Sequence, residues 1–156
     1  ILVSIGRVAN ADGLGLEKVG VEFDKGIKVN DKLETTCKGI YAAGDCTGEK
    51  QFTHYAGYQG AIAARNIVLP LSDPGVLSDV PASTFTSPEV ASIGFTEEQA
   101  RKELGDNIVG VSKMDLEEVD RALCDGYRHG ILKVLYHKRN GKILGATIMA
   151  PAAGEL

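Results

Sequence analysis

A glycine-aspartate pair is the feature of this sequence best suited to ligand chemistry. Gly44 and Asp45 follow the short apolar stretch Ile40–Ala43, which predicts a buried strand. A carboxylate at the C-terminal end of such a strand lies where open α/β sheets bind ligands, and it could accept hydrogen bonds from sugar-like hydroxyl groups. The glycine would let another backbone or a ligand come close. Taken alone, the pair is better explained by an aspartate at the end of a strand that caps the next loop.

The cysteines and histidines carry weaker signals. Cys37, Cys46 and Cys124 are odd in number and widely spaced, which does not fit a disulfide framework, and the spacing matches no zinc-binding pattern. We therefore expect reduced thiols in an intracellular compartment, cytoplasmic or organellar. His129 and His137 are interpreted as solvated strand or turn residues. The sequence thus predicts no catalytic residue and no metal site in this chain.

Composition limits the kinds of partner. The chain has 156 residues, of which 44% are hydrophobic and 24% are charged, and its net charge is −4. This balance is typical of a globular protein with one ordinary domain or two small ones. No Lys/Arg cluster stands out, which argues against nucleic acid as a partner. No run of about 18 apolar residues occurs, so no membrane span is expected.

The elements around Gly44 and Asp45 follow from apolar patterning. Ile1–Ile5 predicts a buried parallel strand, Leu14–Val19 a helical turn and Gly26–Asn30 a short strand. Thr53–Leu69 predicts a helix that ends before a proline, and residues 72–75 have the composition of a domain boundary. The helix would present one face of small residues, which would let it pack closely: Gly57, Gly60, Ala61 and Ala64.

The second half has the pattern of an antiparallel sheet with a helix against it. Thr96 to Gln99 forms a capping-box sequence, which predicts the start of a helix. Ile108–Met114 predicts a strand. Ile131–His137 and Lys142–Ala150 predict two more strands, joined by the hairpin signal Asn140-Gly141.

The residues around Asp45 carry a family resemblance. Ile40 to Asp45, then Thr47-Gly48, then Gln51 to Ala56, resemble the second flavin-binding motif of the pyridine nucleotide-disulfide oxidoreductases. The resemblance implies that FAD is a cofactor and that Asp45 binds its ribityl chain. It also implies that the following helix directs its N-terminus at the flavin N1–C2=O edge, where its partial positive charge is favourable. The other residues implied at the flavin are Gly44, Gln51, Phe52, Thr53 and His54.

The start of the chain extends the resemblance. Ile5 to Asn10 is similar to the family's G-R-x-P-N segment, with Ala9 at the position where the family usually has proline. The resemblance implies that Gly6 lies against the nicotinamide dinucleotide, so that NAD(P)H is the second cofactor. A simple tight turn explains this glycine equally well.

The second half is similar to the opening of the family's dimerisation domain. The segments that carry this similarity are Phe85 to Gly94, Asp120 to Ala122 and Gly141 to Ala146. The resemblance implies a homodimer formed through this half. Within the family, Phe52 to Gly57 and Asp120 to Ala122 are most similar to mercuric reductases and next to dihydrolipoamide dehydrogenases.

The expected architecture is α/β plus α+β. It comprises the C-terminal part of an FAD/NAD(P)-binding region, followed by an interface domain with an antiparallel sheet and flanking helices. Residues 1–7 would be the last strand of the NAD(P) domain, and residues 8–76 the central segment that completes the FAD domain. Residues 77–156 would be the dimerisation domain, truncated at its C-terminus.

The resemblance implies a parent enzyme that passes electrons from NAD(P)H through FAD to a disulfide or a thiol-bound metal substrate. This chain has no G-x-G-x-x-G after a strand and no Cys-x-x-x-x-Cys pair, and none of its histidines matches the family's acid/base residue. We therefore interpret it as a C-terminal fragment that is inactive alone. The alternative is a non-catalytic dimerisation module with a vestigial flavin motif. The length of the natural open reading frame would distinguish the enzyme fragment from the dimerisation module.

Overall fold

The chain folds as two compact units, Ile1–Ser78 and Asp79–Leu156. The structure is a computed structural model that describes residues 1–70 and 72–156. Helices and an antiparallel sheet both occur, which confirms the predicted mixture of fold types. Among the described residues, no helix has the length and apolar character needed to cross a membrane.

One long helix, α1 (Thr53–Val68), organises the first unit. It ends with Leu69 as C-cap, just before Pro70, as predicted. The residues that α1 buries are Tyr55, Gln59, Ile62, Ala63 and Asn66. The predicted face of small residues is instead exposed, and a Cβ at Gly57 or Gly60 would have no described atom within 4 Å. Close packing through that face therefore does not occur among the described residues.

Turns and single bridges replace the predicted short strands of this unit. Leu16–Val19 forms a 3-10 turn, as the sequence predicts. Gly26–Asn30 and Ile40–Ala43 were predicted as strands, and that prediction is wrong. Their residues make only isolated bridges, among them Val29 with Thr35 and Glu34 with Tyr41. The segments are too short and too irregular to sustain a ladder of hydrogen bonds.

The prediction of a buried strand at Ile1–Ile5 is also wrong. This segment has no regular secondary structure, and Ile1, Leu2 and Ile5 are exposed. A strand that is apolar on both faces is stable only between neighbouring strands and covering helices. The described residues supply no parallel neighbour for it.

Two small apolar clusters lie beneath the bridges and α1. The first contains Ala11, Val21, Ile27 and Ala42. In the second, Leu33 packs against Ile62 and Ala63 of α1. Because Leu33 is fully buried and the amide of Ala42 donates to its carbonyl at 3.0 Å, α1 is tied to the segment that leads into Asp45.

The second unit is built on a five-stranded antiparallel sheet. Its strands are β1 (Ala82–Thr84), β2 (Glu89–Gly94), β3 (Val109–Asp115), β4 (Ile131–His137) and β5 (Ile143–Ala150). They lie in the order β1-β2-β5-β4-β3. The predicted hairpin is confirmed, since β4 pairs with β5 from Ile131–Met149 to Tyr136–Ile143. The short helix α3 (Asp120–Cys124) lies between β3 and β4.

A capped helix covers one face of this sheet. In α2 (Glu97–Leu104), the amide of Gln99 donates to Thr96 Oγ1 at 3.3 Å, and the amide of Thr96 donates to Gln99 Oε1 at 2.9 Å. This reciprocal pair confirms the predicted capping box. Ala100 is fully buried against Val109 and Leu135, so α2 packs onto β3 and β4.

The opposite face of the sheet is apolar and partly exposed. Side chains alternate along a strand, so Leu132, three residues before Leu135, points away from α2. Met114 and Ile148 are its direct cross-strand partners, which places three apolar side chains in one row. Met114 and Leu132 remain 46% and 36% exposed. We call Met114, Leu132 and Ile148 the open sheet row.

Candidate functional site

The predicted ligand residue Asp45 lies on a tight turn, Gly44–Thr47, which we call the Asp45 turn. Gly44 and Thr47 are buried and Asp45 is exposed. Gly44 has φ +80°, a left-handed conformation that glycine adopts without steric cost. A Cβ at Gly44 would lie 2.8 Å from the Cβ of Ala56. The close approach expected at this glycine is therefore made to α1.

Three hydrogen bonds fix the Asp45 turn. The amide of Gly44 donates to Gln59 Oε1 at 2.8 Å. Thr47 Oγ1 donates to the carbonyl of Gly44 at 2.9 Å, and the amide of Gly48 donates to the carbonyl of Asp45 at 3.1 Å. With both backbone groups of Gly44 bonded inside the protein, Asp45 projects from a well-defined backbone.

The carboxylate of Asp45 is open to a ligand. Within residues 1–70 and 72–156 it takes part in no hydrogen bond or ion pair. Its neighbour Cys46 points inward, with its thiol donating to the carbonyl of Ala43 at 3.3 Å. The thiol of Cys46 thus bonds to the protein rather than facing the same solvent as Asp45.

The start of α1 is the second part of the candidate site. Phe52 is the N-cap, no side chain caps the helix, and the first turn carries no acidic residue. The first amide groups of a helix have no partner inside it, so this end carries a partial positive charge. Thr53 and His54 are exposed, and Gln51 and Phe52 are partly exposed. The rings of Phe52 and His54 stack with centroids 5.6 Å apart.

Tyr55 anchors this end of α1. Its side chain is 2% exposed, and its hydroxyl accepts a hydrogen bond from the amide of Leu77 at 3.1 Å. Glu49 Oε2 lies 3.5 Å from the same hydroxyl. These contacts of Tyr55 hold the first turn of α1 against the protein, while Thr53 and His54 remain exposed.

One contact reaches this region from the start of the chain. Arg7 Nη1 donates to the carbonyl of Gln51 at 3.4 Å. Gly6, the residue expected at the nicotinamide dinucleotide, is exposed with φ +120° and has no described atom within 4 Å of a Cβ placed on it. The hydrogen bond of its neighbour Arg7 therefore joins the segment expected to contact NAD(P)H to Gln51, in the segment expected to contact FAD.

The thiols supply no further site. Cys37, Cys46 and Cys124 are free. Across the part of the chain that the structure describes, no three metal-ligating side chains are grouped.

Sequence reasoning gave no individual role to Gln59, Thr47 or Arg7, although Thr47 and Arg7 lie within the motifs that carry the resemblance. Of these three residues, only Gln59 has a position in the sequence that indicates its role. It lies four residues after Tyr55 and three before Ile62, on the helix face that the core buries, where a polar side chain needs a partner.

The arrangement fits one end of a flavin dinucleotide. An exposed carboxylate on a rigid turn can accept hydrogen bonds from ribityl hydroxyls, and an uncapped helix start without acidic residues favours electron-rich ring atoms. The contact between Gly44 and Ala56 sets the spacing of these two groups.

Comparison with known families gives two matches that follow each other along the chain. Residues 1–60 match the model described as pyridine nucleotide-disulphide oxidoreductase. Residues 80–156 match the dimerisation domain of the same family.

Individual relatives agree with these matches. A mercuric reductase from Lysinibacillus sphaericus is 40% identical over 158 residues, covering 100% of this chain and 29% of the relative. A dihydrolipoyl dehydrogenase from Thermus scotoductus is 40% identical over 160 residues, covering 100% of this chain and 33% of the relative. The chain thus spans about a third or less of the length of these curated relatives.

Solved structures share the fold. LpdA from Mycobacterium tuberculosis superimposes with a TM-score of 0.85 at 33% identity, over 97% of this chain and 33% of that one. The HOCl-induced flavoprotein disulfide reductase RclA from Escherichia coli gives a TM-score of 0.87 at 28% identity, over 97% and 35%. Sequence motifs, fold and relatives all agree, and the chain belongs to the pyridine nucleotide-disulphide oxidoreductase family.

Proposed function

We propose that the full-length protein containing this chain passes electrons from NAD(P)H through FAD to a disulfide or a thiol-bound metal substrate. The observation that carries the proposal is the pairing of the Asp45 turn with the uncapped start of α1, joined by the contact between Gly44 and Ala56. Relatives named mercuric reductase, dihydrolipoyl dehydrogenase and flavoprotein disulfide reductase support it.

The residues of this chain would bind and orient FAD. Asp45 would accept hydrogen bonds from the ribityl hydroxyls, and the first turn of α1 would face the electron-rich edge of the ring. Gln51, Phe52, Thr53 and His54 would line that edge. Bound FAD would supply the hydride acceptor and the two-electron chemistry.

We assign the segments to domains on the same basis. Residues 1–7 form no strand in this chain; in the full-length protein, which would supply neighbouring strands, they would be the last strand of the NAD(P) domain, with Gly6 beside the dinucleotide. Residues 8–76 would complete the FAD domain, and residues 77–156 would form most of the dimerisation domain. The hydrogen bond from Arg7 to Gln51 supports this assignment, because it joins the segment proposed to contact NAD(P)H to the segment proposed to contact FAD.

The partner of the second unit would be another copy of the same protein. The match to a dimerisation domain supports association through this unit, and the open sheet row supplies an apolar surface for it. The three unpaired cysteines support an intracellular compartment, where thiols stay reduced.

Anaerobic titration of the purified full-length protein with NAD(P)H tests the proposal. The flavin absorbance should bleach on addition of the reductant and return when a disulfide or thiol-bound metal acceptor is added. A protein that carries no flavin, or whose flavin NAD(P)H does not reduce, would rule the proposal out.

A further inference from the structure

We propose that Gln59 is a positioning residue of the flavin site, whose carboxamide oxygen holds the Asp45 turn ready to bind before the cofactor arrives. The inference rests on the proposed flavin site and adds to it a residue that lies outside the flavin motif. Gln59 follows that motif by one helical turn and lies 15 residues after Gly44.

The amide of Gly44 needs a partner that the turn itself cannot provide. Gly44 begins the turn, and the first amides of any helical turn have no acceptor within it. Gly44 is also buried, so water cannot satisfy this donor. Gln59 Oε1 accepts from it at 2.8 Å. Without that acceptor, the turn would have to open to solvent or leave a buried donor unpaired.

Gln59 also couples the two parts of the site. It belongs to α1, whose first turn is the other proposed flavin contact, and Ala56 in that turn touches Gly44. The side chain of Gln59 is fully buried, so it has little freedom to move relative to the helix. One hydrogen bond thus holds the backbone at the start of the Asp45 turn against α1.

The other end of the same side chain argues against a role in stability alone. Gln59 Nε2 is buried and has no hydrogen-bond partner among residues 1–70 and 72–156. An unpaired buried donor lowers stability, and an apolar side chain of the same size would remove that cost only by leaving the Gly44 amide without its acceptor. The useful atom is therefore the oxygen that accepts from Gly44.

Asn66 provides a matched control on the same helix face. It is also a buried amide of α1. Its Nδ2 donates to the carbonyls of Lys32 and Asp73, and its Oδ1 accepts from the amide of Asp73. Replacing Asn66 therefore weakens the first unit without removing a contact to the Asp45 turn.

The test measures FAD affinity and amide exchange in the full-length apoprotein for Gln59→Met, Gln59→Glu, Asn66→Ala and Asp45→Ala. Gln59→Met keeps the size but removes the acceptor, so the Kd for FAD should rise about tenfold, or about 1.4 kcal/mol. Gln59→Glu keeps an acceptor oxygen when its carboxyl is protonated, the form that full burial favours, and at a pH low enough to keep it neutral the Kd should stay within about threefold of the original value. Asn66→Ala should lower the melting temperature and leave the Kd within the same about threefold range.

Hydrogen exchange of the Gly44 amide can be measured in the apoprotein, so this test does not depend on bound FAD. The amide should be protected in the unmodified protein and in Gln59→Glu, and should exchange faster in Gln59→Met. Rapid exchange in the unmodified protein would overturn the inference even if Gln59→Met failed to fold.

The remaining outcomes separate the two proposals. If Asp45→Ala weakens FAD binding but Gln59→Met does not, the inference fails and the flavin site stands. If Gln59→Met and Asn66→Ala weaken binding in proportion to their loss of stability, Gln59 is only structural and the inference fails. If Asp45→Ala leaves the Kd for FAD unchanged, the proposal of a flavin site at Asp45 is wrong, and the inference about Gln59 fails as well.

Discussion

The backbone of Gly44 packs directly against Ala56, because a Cβ at Gly44 would lie 2.8 Å from the Cβ of Ala56. This contact joins the Asp45 turn to the first turn of α1. The left-handed conformation of Gly44, with φ +80°, adds a second reason for glycine at this position. The geometry of the candidate site therefore requires a residue without a side chain at position 44.

Gly44→Ala should destabilise the turn and weaken FAD binding. The left-handed backbone costs about 1–2 kcal/mol for alanine, and the added methyl group against Ala56 costs roughly 1–3 kcal/mol more. Gly13→Ala is the matched control, since Gly13 has φ +75° and no described atom within 4 Å of an added Cβ. Melting temperatures of the two apoproteins measure the difference, and equal losses would show that the contact with Ala56 does not matter.

An ion-pair network on the second unit should make its stability depend on pH. Lys133 Nζ lies 2.5 Å from Glu97 Oε2, and Arg101 Nη2 lies 2.7 Å from Glu97 Oε1. Hydrogen bonds from Lys133 and Arg101 lower the pKa of Glu97 from 4.5 to about 2. Because the folded-state pKa is the lower one, this contribution is present above about pH 4.5 and is lost as the pH falls towards 2.

Glu97→Gln tests that network. It should lower the melting temperature at pH 6, and the difference from the unmodified protein should shrink at pH 3. Glu98→Gln removes an exposed charge from the same helical turn and serves as the control. A difference that is the same at both pH values would contradict the role of Glu97.

Leu132→Glu should disrupt association of the full-length protein. It places a charge in the centre of the open sheet row, where burial against a second copy would leave that charge unpaired. Lys102→Glu introduces the same side chain on α2, which covers the other face of the sheet. Sedimentation velocity should show smaller species for Leu132→Glu alone. Unchanged dimers would place the interface elsewhere on the second unit.

The 156-residue chain alone should lack reductase activity and purify without FAD. It has no G-x-G-x-x-G motif for a dinucleotide pyrophosphate and no Cys-x-x-x-x-Cys pair to receive electrons. Asp45 and the start of α1 would contact only part of FAD and leave its adenine half in solvent, so few contacts would offset the entropic cost of association. The visible spectrum with and without added FAD, and NAD(P)H oxidation with a disulfide acceptor, measure this. Turnover by the isolated chain would contradict the prediction.

Local signals predicted the second unit well. The capping box at Thr96 and the Asn140-Gly141 turn each depend on residues within a few positions of one another, so sequence spacing is enough to find them. The strand β3 begins and ends one residue later than predicted, and β5 begins one residue later than predicted. Such ends depend on hydrogen bonds that apolar patterning does not specify.

Non-local partners account for the failures in the first unit. The apolar run Ile1–Ile5 indicates a buried strand, but a parallel strand needs neighbours that its own sequence does not encode. The spacing of the small residues of α1 predicts that they form its packing face, whereas the larger Tyr55 and Ile62 decide which face is buried. Helical spacing places Gln59 on the buried face of α1, but it does not identify Gly44 as the partner, because Gly44 is 15 residues away and uses a backbone group.

The most direct measurement is the FAD affinity of the full-length protein with Asp45→Ala, determined by flavin fluorescence on titration of the apoprotein. Loss of the charged acceptor should cost roughly 1.5–3 kcal/mol, a rise in Kd of about 10- to 150-fold. Asp12→Ala removes an exposed carboxylate from another loop and should leave the Kd unchanged. A Kd for Asp45→Ala equal to that of the unmodified protein would show that the Asp45 turn does not hold the flavin.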